Sequence, residues 1–271
     1  MIEMKDWKFD GTQESIFARS WREGATLPRF VAVLVHGYGE HIGRYDHVAQ
    51  ALVEHRGVVY GLDHMGHGQS GGERVLIPDF EPVVADVHTL VEQARADWPD
   101  LPVVLIGHSM GGMIGARYAQ EHGDVLDAVV LSGAAVGNFE TVAVLLSLDE
   151  IPDVPLDPAV LSRDPAVGAA YADDPLVWHG PFKRPTMQGF ADTIAAISAD
   201  GSLGDLPLLW VHGEDDQLVP IEGTRSGIEQ LAGDTFEQHT YPGARHEVFN
   251  ETNGDEVIAD VIDFIERVLP A

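Results

Sequence analysis

The run Val31-Ala32-Val33-Leu34-Val35 contains no polar residue. A strand with one wet face alternates apolar and polar positions, whereas a strand covered on both faces does not. Similar short apolar runs recur along the chain and alternate with longer stretches of helical periodicity, which is the signal of β-α-β units and a parallel sheet. The pattern predicts strands at 15–21, 31–36, 58–63, 103–107, 128–132, 208–212 and 235–241. It predicts helices at 45–55, 80–97, 113–121, 221–231 and 256–268. In the last of these, Val257, Val261, Phe264, Ile265 and Val268 fall on one face at helical spacing.

The rhythm breaks between residues 134 and 206. Pro152, Pro155, Pro158, Pro165, Pro175, Pro181 and Pro185 fall in this stretch, and prolines inside it are expected to interrupt any long element. The sheet pattern resumes at Leu208, so the stretch reads as an insertion, not a separate domain. Its first part, Val142-Ala143-Val144-Leu145-Leu146-Ser147-Leu148, is apolar on nearly every side. Such a helix is either buried or faces something apolar outside the protein.

Composition changes this picture in three ways. First, 271 residues suffice for one large domain with a substantial core. Second, 44 acidic residues stand against 16 Lys plus Arg, for a net charge of -28, and lysine occurs only at Lys5, Lys8 and Lys183. A field of that sign repels nucleic acid and anionic headgroups, and it suits a chain kept soluble in salt. Third, the chain has no cysteine, which removes disulfides, thiolate metal sites and a cysteine nucleophile. With no basic-then-apolar leader and no apolar run of membrane-spanning length, a cytoplasmic protein is expected.

The candidate chemistry centres on Gly107-His108-Ser109-Met110-Gly111, between an apolar strand and a helix. A Gly-x-Ser-x-Gly turn there holds the serine strained at its tip with the hydroxyl exposed, and the helix N-terminus beneath it favours negative charge. A serine needs a base, and a histidine base needs an orienting carboxylate. In chain order the acid and then the histidine follow the serine. Of His122, His179, His212, His239 and His246, the last is preferred, because it lies just past the final strand. His122 reads as an exposed helix end and His212 as a packed strand end. The acid lies among Glu214, Asp215 and Asp216, and periodicity does not choose between them. Oxyanion donors are expected from the backbone N–H of Met110 and, in the glycine-rich loop His36-Gly37-Tyr38-Gly39, from that of Tyr38. His64-x-x-His67 lacks the spacing and third ligand of a zinc site and reads as part of a turn. No metal or cofactor is expected.

Taken together, these motifs make the chain resemble the α/β-hydrolases, and within them the monoacylglycerol lipase and lysophospholipase group, its bacterial members above all. The resemblance rests on His36-Gly-Tyr-Gly-Glu-His41, Gly43-Arg44-Tyr45, Asp63-His-Met-Gly-His-Gly-Gln-Ser70-Gly-Gly-Glu-Arg74, the serine turn, His212-Gly-Glu-Asp-Asp216 and Tyr241-Pro-Gly-Ala-Arg-His246-Glu. It implies one α/β-hydrolase domain over 1–271: a mostly parallel central sheet flanked by helices, with a cap, or lid, at about 137–205. It implies Ser109, Asp216 and His246 as the triad, with Tyr38 and Met110 as the oxyanion donors. It also implies an acyl-binding tunnel beneath the lid, where Leu145 and Leu146 are candidates, and an alcohol pocket near Glu40 and His41. Tyr38 stands where smaller residues are common, which would narrow the alcohol side. The implied substrate is a monoacylglycerol, reached through transient lid contact with a lipid surface. A broader carboxylesterase, a lysophospholipase and a hydrolase-fold binding protein are the alternatives.

Overall fold

A computed structural model describes residues 1–24, 26–154 and 156–270; Pro155 lies outside the described residues. In chain order the strands are β1 (Ile2–Asp10), β2 (Ser15–Glu23), β3 (Phe30–Val35), β4 (Gly57–Leu62), β5 (Val103–His108), β6 (Ala128–Ser132), β7 (Leu208–Gly213) and β8 (Phe236–Tyr241). The helices are α1 (Asp46–Glu54), α2 (Glu81–Asp97), α3 (Met110–His122), α4 (Glu140–Ser147), α5 (Pro165–Asp173), α6 (Arg184–Asp200), α7 (Ile221–Leu231) and α8 (Gly254–Val268).

The strands form one eight-stranded sheet in the order β1-β2-β4-β3-β5-β6-β7-β8. β1 and β2 pair antiparallel, β2 meets β4 antiparallel, and β4 through β8 run parallel. Successive side chains of a strand point to opposite faces, so the unbroken apolar runs serve two cores at once. Val31, Val33, Val35, Leu105, Leu131 and Trp210 pack on one face with Val87, Val91, Met113 and Ile114 from α2 and α3. Ala32, Leu34, Val104, Ile106, Val130 and Val211 pack on the other face with Leu52 of α1 and Val257, Val261, Phe264 and Ile265 of α8.

Two features depart from the sequence reading. β1 is an additional edge strand, mostly exposed and paired along its whole length with β2. In the insertion, the prolines do not prevent long elements. α6 runs for 17 residues with Pro185 in its first turn, and Pro165 opens α5 behind an Asp164 side chain that accepts the Ala166 N–H at 2.9 Å. The first N–H groups of a helix have no intrahelical acceptor, so proline removes nothing there.

Between β6 and β7 the chain leaves the sheet and forms α4, α5 and α6. α6 is anchored to the core, with Met187, Phe190 and Ile197 buried there. The Thr186 hydroxyl donates to Val75 O at 2.7 Å and accepts Ile77 N–H at 2.9 Å. α4 and the chain around α5 lie farther out. Val144, Leu148, Val154 and Leu176 are exposed apolar residues of this region. No helix among the described residues is long and apolar enough to cross a membrane.

Candidate active site

Ser109 sits between β5 and α3 with φ 56° and ψ -117°. Left-handed φ is uncommon for a residue with a side chain and stores strain that the surroundings must hold. Here backbone hydrogen bonds hold it. Ser109 N–H donates to Ser132 O at 2.9 Å, and Ser109 O accepts N–H groups of Gly112, Met113 and Ala135 at 2.9, 3.1 and 3.1 Å. The flanking glycines have no room for a side chain. A Cβ on Gly107 would lie 2.2 Å from Gly111 O, and one on Gly111 would lie 2.0 Å from Val35 O. Both obstacles are backbone atoms of the sheet and turn. Gly111→Ala is therefore expected to cost about 3 kcal/mol or more in unfolding free energy. Gly123→Ala, whose Cβ would only reach Leu206 at 3.7 Å, serves as a control within about 0.5 kcal/mol of wild type. Urea unfolding of both variants checks this, and equal stabilities would contradict the tight-turn argument.

Of the three candidate acids, Glu214 and Asp215 are exposed and Asp216 is buried. Asp216 Oδ2 lies 2.7 Å from His246 Nδ1. Its Oδ1 accepts the N–H groups of Leu218 and Val219, each at 2.9 Å. His212, expected only to pack, also faces it, with Nε2 3.3 Å from Asp216 Oδ2 and 2.9 Å from Val219 O. Trp210 Nε1–H donates to His212 Nδ1 at 3.1 Å, which places the His212 proton on Nε2. Burial by itself would raise the Asp216 pKa, but the His246 charge and hydrogen bonds from His212 and His246 hold the carboxyl far below its ordinary range. Burial by itself would lower His246, and the Asp216 carboxylate outweighs it and raises the imidazole above its ordinary value. Gly213 allows this approach: a Cβ there would lie 2.2 Å from Arg245 O and 2.4 Å from Ala244 O in the loop that carries His246.

Ser109 and His246 line one cavity. Gly37, Tyr38, Glu40, His108 and Glu247 line it on the core side, and Phe139, Val142, Leu145, Leu161, Tyr171, Phe182, Met187 and Phe190 are among its apolar lining. Met110 is buried at the first position of α3, with its backbone N–H in the turn that bears Ser109. Gly37 packs against Ser109, whose Cβ lies 3.2 Å from where a Gly37 side chain would begin.

The loop residues do more to hold the site than the sequence suggested. Glu40 lines the cavity, but both of its oxygens are already engaged. Oε1 accepts Gly37 N–H and the Tyr45 hydroxyl, each at 2.7 Å, and Oε2 lies 2.7 Å from Arg44 Nη1. Arg44 also forks onto Glu247 at 2.6 and 2.8 Å, joining the serine-side loop to the His246 loop. His41 is not in the cavity lining. Its Nε2 lies 2.8 Å from Asp174 Oδ2, so it ties the loop to the insertion. Leu145 lines the cavity and Leu146 does not: one step along α4 turns the side chain about 100° away. The Tyr38 ring packs on Phe182 and Phe190. His122 is not a lone exposed end, since its ring stacks on His88 at 4.0 Å.

His108, Arg44, His212 and Glu247 belong to the site and were not singled out from sequence. All four stand inside the motifs that carried the resemblance. The His108 ring is 4.7 Å from that of His246, and its Nδ1 is 3.1 Å from Ser132 Oγ. Burial pushes it down to about 4, so it is neutral at physiological pH. His64 and His67 shape the turn after β4: His64 N–H donates to His36 Nε2 at 3.0 Å, and Asp63 accepts from Ile42 and Gln69. Among the described residues, no group of three or more His, Cys, Asp or Glu side chains is placed to hold a metal ion.

Residues 26–253 match the family described as serine aminopeptidase, S33. The chain is 42% identical over 253 residues to a monoacylglycerol lipase of Mycolicibacterium smegmatis, covering 89% of each chain. Among solved structures, it is similar to a thermostable carboxyl esterase from Bacillus coagulans in complex with glycerol, with a TM-score of 0.83, 26% identity and 98% of each chain covered. It is also similar to the monoacylglycerol lipase of Paleococcus ferrophilus, with a TM-score of 0.78, 27% identity, and 98% of this chain and 100% of that chain covered.

Proposed function

The chain belongs to the S33 serine-aminopeptidase family of α/β-hydrolases and, within it, to the group of the monoacylglycerol lipases; from that premise we propose that it hydrolyses monoacylglycerols to glycerol and fatty acid through Ser109, Asp216 and His246. The observation that carries the reading is the Asp216–His246 pair at 2.7 Å together with a strained serine, Ser109 and His246 both lining one cavity. Asp216 holds the His246 proton on Nδ1, which leaves Nε2 as the base. As the serine oxygen bonds to the ester carbon, its proton passes to Nε2 and the carbonyl electrons move onto oxygen. The N–H groups of Tyr38 and Met110 receive that oxyanion, each donor contributing ~10²–10³ in rate. The bond to the glycerol oxygen then breaks, and glycerol leaves with the His246 proton. Water repeats the sequence on the acyl-enzyme and releases the fatty acid.

The cavity's lining supports this substrate over the alternatives. Its lining includes Glu40 and Glu247, two buried carboxylates that share Arg44. An excess negative charge there suits the neutral hydroxyls of glycerol and opposes the phosphate of a lysophospholipid. Most of the remaining lining is apolar and suits an acyl chain. Residues 137–205 act in this reading as the cap, and exposed Val144, Leu148, Val154 and Leu176 are its face toward lipid aggregates.

The experiment is a panel of monoacyl-, diacyl- and triacylglycerols, lysophospholipids and p-nitrophenyl esters, read as kcat/KM. Monoacylglycerols are expected to exceed the other acylglycerols and the lysophospholipids by about tenfold or more, as the Glu40 and Glu247 carboxylates in the lining discriminate. Equal or faster turnover of lysophospholipids would replace this reading with a lysophospholipase. Turnover confined to short p-nitrophenyl esters would replace it with a general carboxylesterase.

A further inference from the structure

Tyr38 combines two functions in one residue. Its backbone N–H belongs to the loop beside Ser109, while its ring packs among apolar residues of the cavity lining. There the ring stacks on Phe182 with centroids 5.0 Å apart and planes at 29°. It meets Phe190 edge-on at 6.4 Å and His67 edge-on at 5.9 Å. Phe190 is itself backed by Phe80 at 5.1 Å and by Phe139 at 6.1 Å. The ring is thus wedged between the core and the insertion by groups that are themselves packed, and aromatic contacts of this kind resist displacement. The Tyr38 hydroxyl is buried, with the Lys183 backbone as a polar neighbour but no hydrogen bond of good geometry among the described residues. Packing, not a polar contact, therefore fixes the ring.

Val142, Leu145, Phe182, Met187 and Phe190 line the cavity and pack in one apolar cluster with this ring, forming an apolar lobe of the lining. We infer that the Tyr38 ring is the end wall of the acyl lobe and sets the longest acyl chain the enzyme accepts. This rests on the ester-hydrolase reading above and adds to it the residue that measures the substrate. A wall of packed aromatics cannot yield gradually, so chains beyond the fitted length lose about tenfold or more per excluded methylene.

The test measures kcat/KM for 1-monoacylglycerols of rising chain length, and for the matching p-nitrophenyl esters, in wild type, Tyr38→Ala, Tyr38→Phe and Phe182→Ala. All three variants keep the backbone N–H at position 38. An aromatic ring covers ~150–250 Å² and a methylene roughly 30 Å², so Tyr38→Ala is expected to move the preferred length up by about five to eight carbons. Phe182→Ala, which removes the stacking partner, is expected to move it in the same direction, and it serves in place of Tyr38→Ala if thermal unfolding shows that variant misfolded. Tyr38→Phe keeps the wild-type preference, since the ring and its aromatic contacts remain and the hydroxyl makes no well-formed hydrogen bond. If Tyr38→Ala lowers every chain length by one common factor, or Tyr38→Phe shifts the preference as far as Tyr38→Ala, the end-wall assignment is overturned. The p-nitrophenyl series carries no glycerol. A length shift there without monoacylglycerol turnover upholds the wall and sinks the substrate reading, while normal monoacylglycerol turnover with an unshifted preference does the opposite.

Discussion

Replacing Ser109 with alanine is expected to leave a folded protein that has lost ester hydrolysis by roughly 10⁶-fold in kcat. The fold survives because every hydrogen bond holding the turn uses the Ser109 backbone. Its N–H meets Ser132 O, and its carbonyl receives Gly112, Met113 and Ala135. Alanine keeps all four, and it adopts φ 56° at the same cost as serine. Unfolding free energy should therefore change by no more than about 0.5 kcal/mol. Activity disappears because no other group at the turn can form the acyl bond: His108 beside it is neutral and turned toward Ser132. The check has three parts, namely turnover on a monoacylglycerol, labelling with a fluorophosphonate, and the urea midpoint. Loss of turnover and label at an unchanged midpoint is the expected result. A purified variant that keeps more than about one hundredth of wild-type kcat would remove Ser109 from the mechanism.

The parts of this site that sequence could show are those where one residue type is required. Gly107 and Gly111 are legible because backbone atoms at 2.2 and 2.0 Å leave no alternative to glycine. The parallel strands are legible because both of their faces are buried. β1 was hidden for the opposite reason. Glu3, Lys5, Asp6, Lys8 and Asp10 make it look like a charged terminus, and its pairing with β2 is a long-range fact. α6 was hidden by Pro185, whose meaning depends on whether it opens a helix or lies within one. The choice among Glu214, Asp215 and Asp216 is tertiary: Glu214 and Asp215 donate their N–H groups to Tyr241 O and Ala244 O, pinning the two loops, and Asp216 is then the acid that faces His246. His41 and Leu146 looked like pocket residues because their neighbours are, and no local pattern reports that Asp174, 133 residues away, takes the His41 ring.

The same loop geometry makes Asp216→Asn the sharpest test of the acid. Asp216 Oδ1 accepts two backbone N–H groups, from Leu218 and Val219. An asparagine must put its oxygen there, because its NH₂ would meet two donors. The NH₂ then occupies the Oδ2 position, against His246 Nδ1 and His212 Nε2. His246 can satisfy that NH₂ only by moving its own proton from Nδ1 to Nε2. Nε2 is the nitrogen that must accept the Ser109 proton, so the ring is left in the wrong tautomer. The expected loss is about 10⁴-fold in kcat, with the protein still folded. The residual activity carries a second signature. In wild type, burial lowers the His246 pKa and the Asp216 carboxylate raises it further still, for a net rise. Without the carboxylate, burial dominates and the acidic limb of the pH–rate profile moves to lower pH. Asp215→Asn, altering an exposed side chain on the same turn, is expected to keep wild-type kcat and an unmoved acidic limb. If Asp215→Asn loses activity while Asp216→Asn retains it, the orienting carboxylate is Asp215, and the 2.7 Å contact with His246 serves structure alone.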